Sequence, residues 1–480
     1  MPNNRIVRKR EASKTDHPLV VIMIVALLSF LGVLTETSMN VTFPTLMEDF
    51  NVSLNSVQWI TSGYLLCAAL IMLTSAFMKR RFTNRQLFNA AAIMFVIGDI
   101  MCGSATVFLV MLLGRLIQAG CVGLCTPLMI NIIIDVIPAH KLGTYIGIAN
   151  MITLIGPALG PTFGGTVTAF ASWRMIFWIT LPLTLVLFLI GQKWIKQYTP
   201  TGKYEFDWTR YAVLSVALIS LILSLGLLGN STNWFLFGGL LLITAIGFIL
   251  FYRLSLTSHK ALFSLKVFGQ PAFLFSFLPY IMMQFSNVGI NFLLPNYVQD
   301  IFSATAFAGG LILLPGSIFN SFGQPAYGWM LDHLGGKIPL YLGNGIFIVS
   351  VCVFTFWGST LEVFGVTWVY MFFAIGRSMA FSNTMAYGLK KMKAKYESDA
   401  NALYNTGQQV MGAIGTTILA LMMSSVNIAG NTRIQNIAAG SKLAFATLLT
   451  IGIINMIFYV ILFKVTSTND KKLANPSSQE

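Results

Sequence analysis

Four ionisable side chains in this sequence sit where water is scarce. Glu36, Asp99, Arg115 and Arg377 each lie inside a stretch dominated by apolar residues. A carboxylate in such a place is costly to keep ionised, and a nearby cation offsets that cost. An acid held between the two influences can take up a proton and release it when its surroundings change. Glu36, Asp99 and Arg115 are therefore the candidate proton-handling groups, and either acid could be the carrier. A second set is polar but uncharged and recurs at helical spacing. It comprises Gln284, Asn287 and Asn291, then Asn320 and Gln324, then Asn383, Asn405 and Gln408, with Asn40 and Arg377 beside them. Residues of this kind either hydrogen-bond one helix to another or line a polar strip in a central cavity. The cavity reading makes them a substrate-binding surface. Other chemistries find no support. Cys67, Cys102, Cys121, Cys125 and Cys352 all fall within apolar stretches. Cys121 and Cys125 are four residues apart, but two thiols alone do not make a metal site. The four His stand at the edges of apolar stretches. No nucleophile cluster and no glycine-rich phosphate loop ending in Lys-Ser or Lys-Thr is present. We expect no enzyme, no metal and no cofactor.

The elements that must position these residues are membrane spans. The chain has 480 residues, 56% of hydrophobic type and only 10% charged, with a mean hydropathy of +0.74. A soluble domain carries roughly 25% charged residues, so a soluble multidomain enzyme is excluded, and so is disorder. Fourteen apolar stretches reach the length of about 20 residues that a crossing helix needs. They lie near 18–42, 54–78, 87–105, 108–131, 142–165, 173–193, 209–229, 234–253, 271–296, 305–330, 338–358, 366–388, 400–424 and 441–464. The net charge of +14 would suit a nucleic-acid binder, but its distribution says otherwise. With both termini in the cytoplasm, 25 of the 30 Lys and Arg fall on the cytoplasmic side, and only Arg174, Arg433 and Lys442 fall outside. Positive residues mark the cytoplasmic side of a membrane protein. We expect a multi-pass plasma-membrane protein with lipids around it and no nucleic-acid partner.

The spans repeat. Asn40-x-x-x-Pro44 in the first matches Asn291-x-x-x-Pro295 in the ninth, and Gly114-Arg115 in the fourth matches Gly376-Arg377 in the twelfth. The pattern predicts a cytoplasmic N-terminus (1–17), a six-helix bundle (18–193), two inserted helices with their loops (194–270), a second six-helix bundle (271–464) and a cytoplasmic tail (465–480). Under this alignment Glu36 corresponds to Asn287, so the acid belongs to the first half.

The most specific signal is in the fifth span. Gly147, Gly156, Gly160, Pro161, Gly164 and Gly165 follow the spacing Gly-x8-Gly-x3-Gly-Pro-x2-Gly-Gly. Glycines every four residues make a smooth face for close helix contact, and Pro161 removes one helical hydrogen bond. This spacing is similar to the antiporter motif of the major facilitator superfamily. Arg115-Leu116-Ile117-Gln118, Ser172-Trp173-Arg174, Leu314-Pro315-Gly316 and Asn405-Thr406-Gly407-Gln408-Gln409 add to it. With fourteen spans, the chain resembles the fourteen-helix drug:proton antiporter branch over residues 18–465. The resemblance implies an all-α integral membrane protein with the major facilitator fold, its 14 helices arranged as 6+2+6.

Two departures from the family pattern bear on the site. The branch usually has Asp in the first span where this chain has Thr35, and its acid is the next residue, Glu36. One residue is about 100° around a helix. The loop after the second span reads Met78-Lys79-Arg80-Arg81-Phe82-Thr83-Asn84-Arg85, without the family's acid or glycine. The second half keeps the pattern better, as Gly328-Trp329-Met330-Leu331-Asp332-His333-Leu334-Gly335-Gly336-Lys337. Arg81, Asp135, Gly328, Asp332 and Lys337 are the expected cytoplasmic gate, with Asp135 pairing to the basic loop. The implied function is proton-coupled export of lipophilic drugs, cationic ones among them, by alternating access. The proton gradient supplies the energy, and the antiporter works as a monomer. Export of an endogenous metabolite, peptide or lipid-like molecule is the alternative. A membrane sensor without transport is a third reading, weakened by the lack of a soluble signalling domain.

Overall fold

The computed structural model describes residues 17–39, 42–52, 54–227, 233–257, 262–302, 306–426, 428 and 432–474. Asn40, one of the residues expected at the site, lies outside the described residues. The long helices are α1 (Pro18–Met39), α2 (Leu54–Leu73), α3 (Asn84–Gly103), α4 (Phe108–Val136), α5 (Leu142–Phe170), α6 (Met175–Trp194) and α7 (Trp208–Gly226). They continue as α8 (Trp234–Thr257), α9 (Pro271–Phe302), α10 (Leu314–His333), α11 (Lys337–Trp357), α12 (Val363–Lys391), α13 (Glu397–Ser425) and α14 (Arg433–Ala474). Among the described residues, 11 helices are long and apolar enough to cross a membrane. The total is 12 if α2 and the short helix Ser75–Arg81, bent from it by 48°, count as one span. The two long helices that fall short are α10 and α13. Both spend helical positions on polar residues, Asn320, Ser321 and Gln324 in α10 and Asn401, Asn405, Thr406 and Gln408 in α13. Both also pack against the opposite half of the molecule.

The packing separates the helices into sets. α1–α6 pack on one another, α9–α14 pack on one another, and α7 pairs with α8. α7 also touches α2 and α13, and Ser220 and Thr244 share a 2.8 Å hydrogen bond across the α7–α8 pair. The two large sets meet where α5 lies along α10 and α2 along α13. The α5–α10 approach requires glycine on both sides. A Cβ on Gly143 would meet the Gly328 carbonyl at 2.6 Å, and one on Gly328 would collide with Gly143 itself. The five cysteines are free thiols, three of them buried, as small packing residues should be.

Candidate functional site

Hydrogen bonds that join the two large sets gather on the face where the α2–α3, α4–α5, α10–α11 and α12–α13 loops lie. Asp332, near the end of α10, accepts from the first turn of α5. Its Oδ1 takes the Gly143 N–H at 3.1 Å, and its Oδ2 takes the Thr144 N–H and Oγ1, each at 2.7 Å. The first N–H groups of a helix have no partner within it, and its positive end favours a carboxylate. Here the capping acid comes from the other set. Lys390 of α12 adds an ion pair to Asp332 at 2.5 Å. A second clasp joins Arg80 to Asp399 at the start of α13, and the Ser264 N–H also binds Asp399 at 3.2 Å. Asn401 Nδ2 donates to the Pro127 carbonyl at 2.9 Å and to Asn131 Oδ1 at 3.1 Å.

Asp135 binds the basic loop as expected, through Lys79 at 2.8 Å. Two other expected gate residues make no ion pair across this face among the described residues. Arg81 and Lys337 are exposed, and the clasping cations are Lys79, Arg80 and Lys390. The reason is helical phase. Successive residues at the end of Ser75–Arg81 point about 100° apart, so Lys79 and Arg80 turn inward and Arg81 turns out. Lys337 opens α11, whereas Lys390 closes α12 beside Asp332.

Along α5, the motif glycines hand the helix from one neighbour to another. Gly147 abuts the Gln324 carbonyl of α10, Gly156 faces Val33 of α1, and a Cβ on Gly160 would overlap Thr37. Ser38 Oγ donates to the Gly160 carbonyl at 2.9 Å. Gly164 is buried, Pro161 is exposed, and Gly165 has open space around it. The motif therefore grips α1 at Thr37 and Ser38, the two residues that follow Glu36.

Glu36 is half-buried and within electrostatic reach of Arg115. Thr35, at the family's usual acid position, is buried and donates to the Gly32 carbonyl at 2.9 Å. Arg115 is fully buried. Its guanidinium carbon lies 4.2 Å from the Tyr64 ring centroid, a cation–π contact, and it donates to Gln118 Oε1. Gln118 Nε2 in turn donates to Asp99 Oδ1 at 2.6 Å, and Thr180 Oγ1 reaches Asp99 Oδ2 at 3.2 Å. Asp99, Gln118 and Arg115 therefore form one buried chain across α3 and α4, and Tyr64 closes it from α2 by donating to the Gly32 carbonyl of α1 at 3.1 Å. Two Arg115 nitrogens, Nε and one Nη, have no hydrogen-bond partner among the described residues.

The polar strip of the second half divides. Ser382 Oγ donates to Gln324 Oε1 at 2.5 Å, Gln324 Nε2 donates to Asn320 Oδ1 at 2.8 Å, and Asn150 of α5 reaches Ser382 at 3.3 Å. Asn383 donates to the Tyr327 carbonyl at 2.9 Å and Asn405 to the Asn401 carbonyl at 2.8 Å. Gln324 and Asn383 thus join helices, whereas Asn320 and Asn405 bond within their own. Gln284 is buried, Asn287 and Gln408 are half-buried, and Asn291 is exposed, so the last three are open to a partner. Tyr370 and Tyr280 donate to Asn291 Oδ1 at 2.8 Å and to Gln408 Oε1 at 2.6 Å. Sequence reasoning missed Tyr64, Thr180, Tyr280, Tyr370 and Asp399. Of these only Asp399 carried a signal, an acid at the head of a polar helix.

A family model described as Major Facilitator Superfamily matches residues 25–416. The lincomycin resistance protein LmrB of Bacillus subtilis (strain 168) is 29% identical, the match spanning 94% of this chain and 97% of that protein. The multidrug export protein EmrB of Haemophilus influenzae is 23% identical over 83% of this chain and 79% of that one. Among solved structures, the proton:xylose symporter XylE superposes with a TM-score of 0.65 at 14% identity, covering 92% of this chain and 95% of that one.

Proposed function

The chain belongs to the major facilitator superfamily, and from that premise we propose that it is a proton-coupled antiporter that exports lipophilic drugs. The names of two relatives, a lincomycin resistance protein and a multidrug export protein, support drug efflux as the direction and cargo. The single observation that carries proton coupling is a half-buried acid on α1, Glu36, within electrostatic reach of the buried cation Arg115. A charged acid beside a buried cation is stabilised, and a protonated one releases that attraction. We place both termini in the cytoplasm on the distribution of Lys and Arg. The clasped face is then cytoplasmic, and the arrangement is the outward-facing one. Residues 18–193 and 271–464 are the two bundles that rock, with α10 and α13 spanning despite their polar residues. The antiporter acts as a monomer driven by the proton gradient.

In this cycle a proton from outside neutralises Glu36 and loosens its hold on Arg115. The cytoplasmic clasps then open, cargo enters from the inner side, and its arrival favours release of the proton inward. Asp99 has both oxygens engaged, which supports a positioning role through Gln118 and leaves Glu36 as the carrier. The test is drug uptake by inside-out vesicles under an imposed pH gradient. Glu36→Gln should retain membrane insertion and lose gradient-driven uptake. Full gradient-driven uptake in that variant would remove Glu36 from the mechanism.

A further inference from the structure

The inserted pair, α7 and α8, stands outside the two bundles, yet it is tied to both. Its helices are locked to each other. Ser220 and Thr244 share their hydrogen bond, and a Cβ on Gly247 would come within 2.8 Å of the Ala217 Cβ. α7 touches α2 of the first set and α13 of the second, so the pair lies on the seam between the halves. Two short flanks carry the chain into and out of it, 195–207 and 262–270.

The first flank is bound to the first set. Gln197 Oε1 accepts the Asn84 N–H at 2.7 Å, and the Lys196 carbonyl accepts from Asn84 Nδ2 at 3.2 Å. Thr199 Oγ1 reaches Asp135 Oδ2 at 3.4 Å, and the Phe206 ring centroid lies 4.8 Å from that of Phe77. The Gly202 N–H donates to the Arg80 carbonyl at 2.8 Å. The second flank is bound to the second set. Leu262, Phe263 and Val267 are buried, and Phe268 packs edge-on against Phe273 of α9. The Ser264 N–H donates to Asp399 Oδ2 at 3.2 Å. The two flanks therefore end on the two members of one ion pair, Arg80 and Asp399. One flank holds the cation by its backbone. The other holds one carboxylate oxygen, while Arg80 takes the other oxygen.

Parting the halves here carries Gly202 away with Arg80 and Ser264 away with Asp399. Either α7 then leaves α2 or α13, or a flank gives up its anchor. Hydrogen bonds to an ionised group are the stronger kind, so the anchor at Asp399 resists that loss. We propose that α7, α8 and their flanks form a strap across the seam, which steadies the Arg80–Asp399 clasp and weights the molecule towards the clasped state. The inference goes beyond the drug and proton reading and takes from it only the rocking of the two bundles.

The test cuts the strap after the full-length protein has folded. A protease-recognition segment is inserted between Lys203 and Tyr204, both exposed, and spin labels are placed at exposed His140 and Leu334, in loops of the two halves on the clasped face. Cutting the purified protein should raise the ratio of open to closed distances about tenfold, the loss of one bond to a charged group. Ser264→Pro removes the N–H that binds Asp399, at a backbone φ of −92° that lies near proline's own. It should give the same shift in uncut protein and add little after cutting, because changes to one coupled unit do not add. Ser264→Ala keeps the N–H and should leave the ratio as it was. Distances unmoved by cutting and by Ser264→Pro would overturn the strap. An Asp332→Asn control that opens the face in the same assay would show that the rocking reading survives that loss. Equal shifts in Ser264→Ala and Ser264→Pro would also overturn it, since the bond to Asp399 would then not be what acts. If the inserted segment keeps the chain from the membrane, the Pro and Ala variants decide alone.

Discussion

At the scale of the residue, Arg115 is tied to a chain in which every member has a named role: Tyr64 covers its face, Gln118 accepts from it, and Asp99 holds Gln118. Removing the middle of that chain strands charged groups at both ends, and an unsatisfied buried group costs about 1–3 kcal/mol. Gln118→Ala should therefore lower gradient-driven efflux about tenfold or more, since about 1.4 kcal/mol is a factor of ten. Thr180→Ala leaves Asp99 its bond to Gln118 and should cost less. Initial rates of drug uptake, normalised to protein in the membrane, rank the two. Equal losses would show that Gln118 does not transmit from Asp99 to Arg115. Much of this chain was legible beforehand, because an ionisable residue in an apolar stretch is visible without a structure. Gln118 sat three residues after Arg115, the spacing that brings two helical side chains together. Tyr64 and Thr180 were not legible, since aromatic and hydroxyl residues are common in spans for packing alone.

At the scale of the element, α5 sets where α1 can stand. The glycine spacing in Gly147–Gly165 announced a close contact, but only the packing shows that it has two ends, one on α10 and one on α1. The α1 end matters for chemistry because Thr37 and Ser38, the residues it seats, follow Glu36 directly. Gly160→Val should push α1 away from α5 and abolish efflux while the protein still inserts. Gly165→Ala should be tolerated, because a methyl there meets nothing within 4 Å. Uptake assays on both variants, with size-exclusion profiles to confirm folding, check the contrast. A functional Gly160→Val would mean that α1 need not sit where it does. The same scale explains why hydropathy recovers 11 or 12 spans. α10 and α13 trade apolar residues for polar ones, and one of these, Asn401, bonds across to the opposite half. The partners of those polar residues could not be read from the chain. Asp332 to Thr144 and Arg80 to Asp399 are long-range pairs, and nothing local to either residue names the other.

At the scale of the whole molecule, the acid that caps α5 is also a bond between halves. Asp332 accepts the Gly143 and Thr144 N–H groups and the Thr144 hydroxyl while pairing with Lys390. Parting the bundles on this face breaks all the α5 bonds at once and leaves the helix end uncapped. Bonds to a charged group contribute about 1.5–3 kcal/mol each, so the clasp weights the closed state without making it permanent. Asp332→Asn preserves the shape but removes the charge and turns an amide donor towards donors. Losing the equivalent of one such bond should shift the balance between states at least tenfold towards opening on this face. Spin labels at His140 and Leu334, exposed positions in the two loops beside the clasp, should then report a longer distance. Labels at Phe170 and Leu311, exposed towards the other face, should report a shorter one. Both changes are required, because alternating access closes one side as the other opens. If the first distance lengthens alone, the clasp is a local cap and the bundles do not move as units. If neither changes, Arg80–Asp399 and Asn401 hold the face without it, and the same labels in an Asp332→Asn, Asp399→Asn double variant would show whether the two clasps act as one.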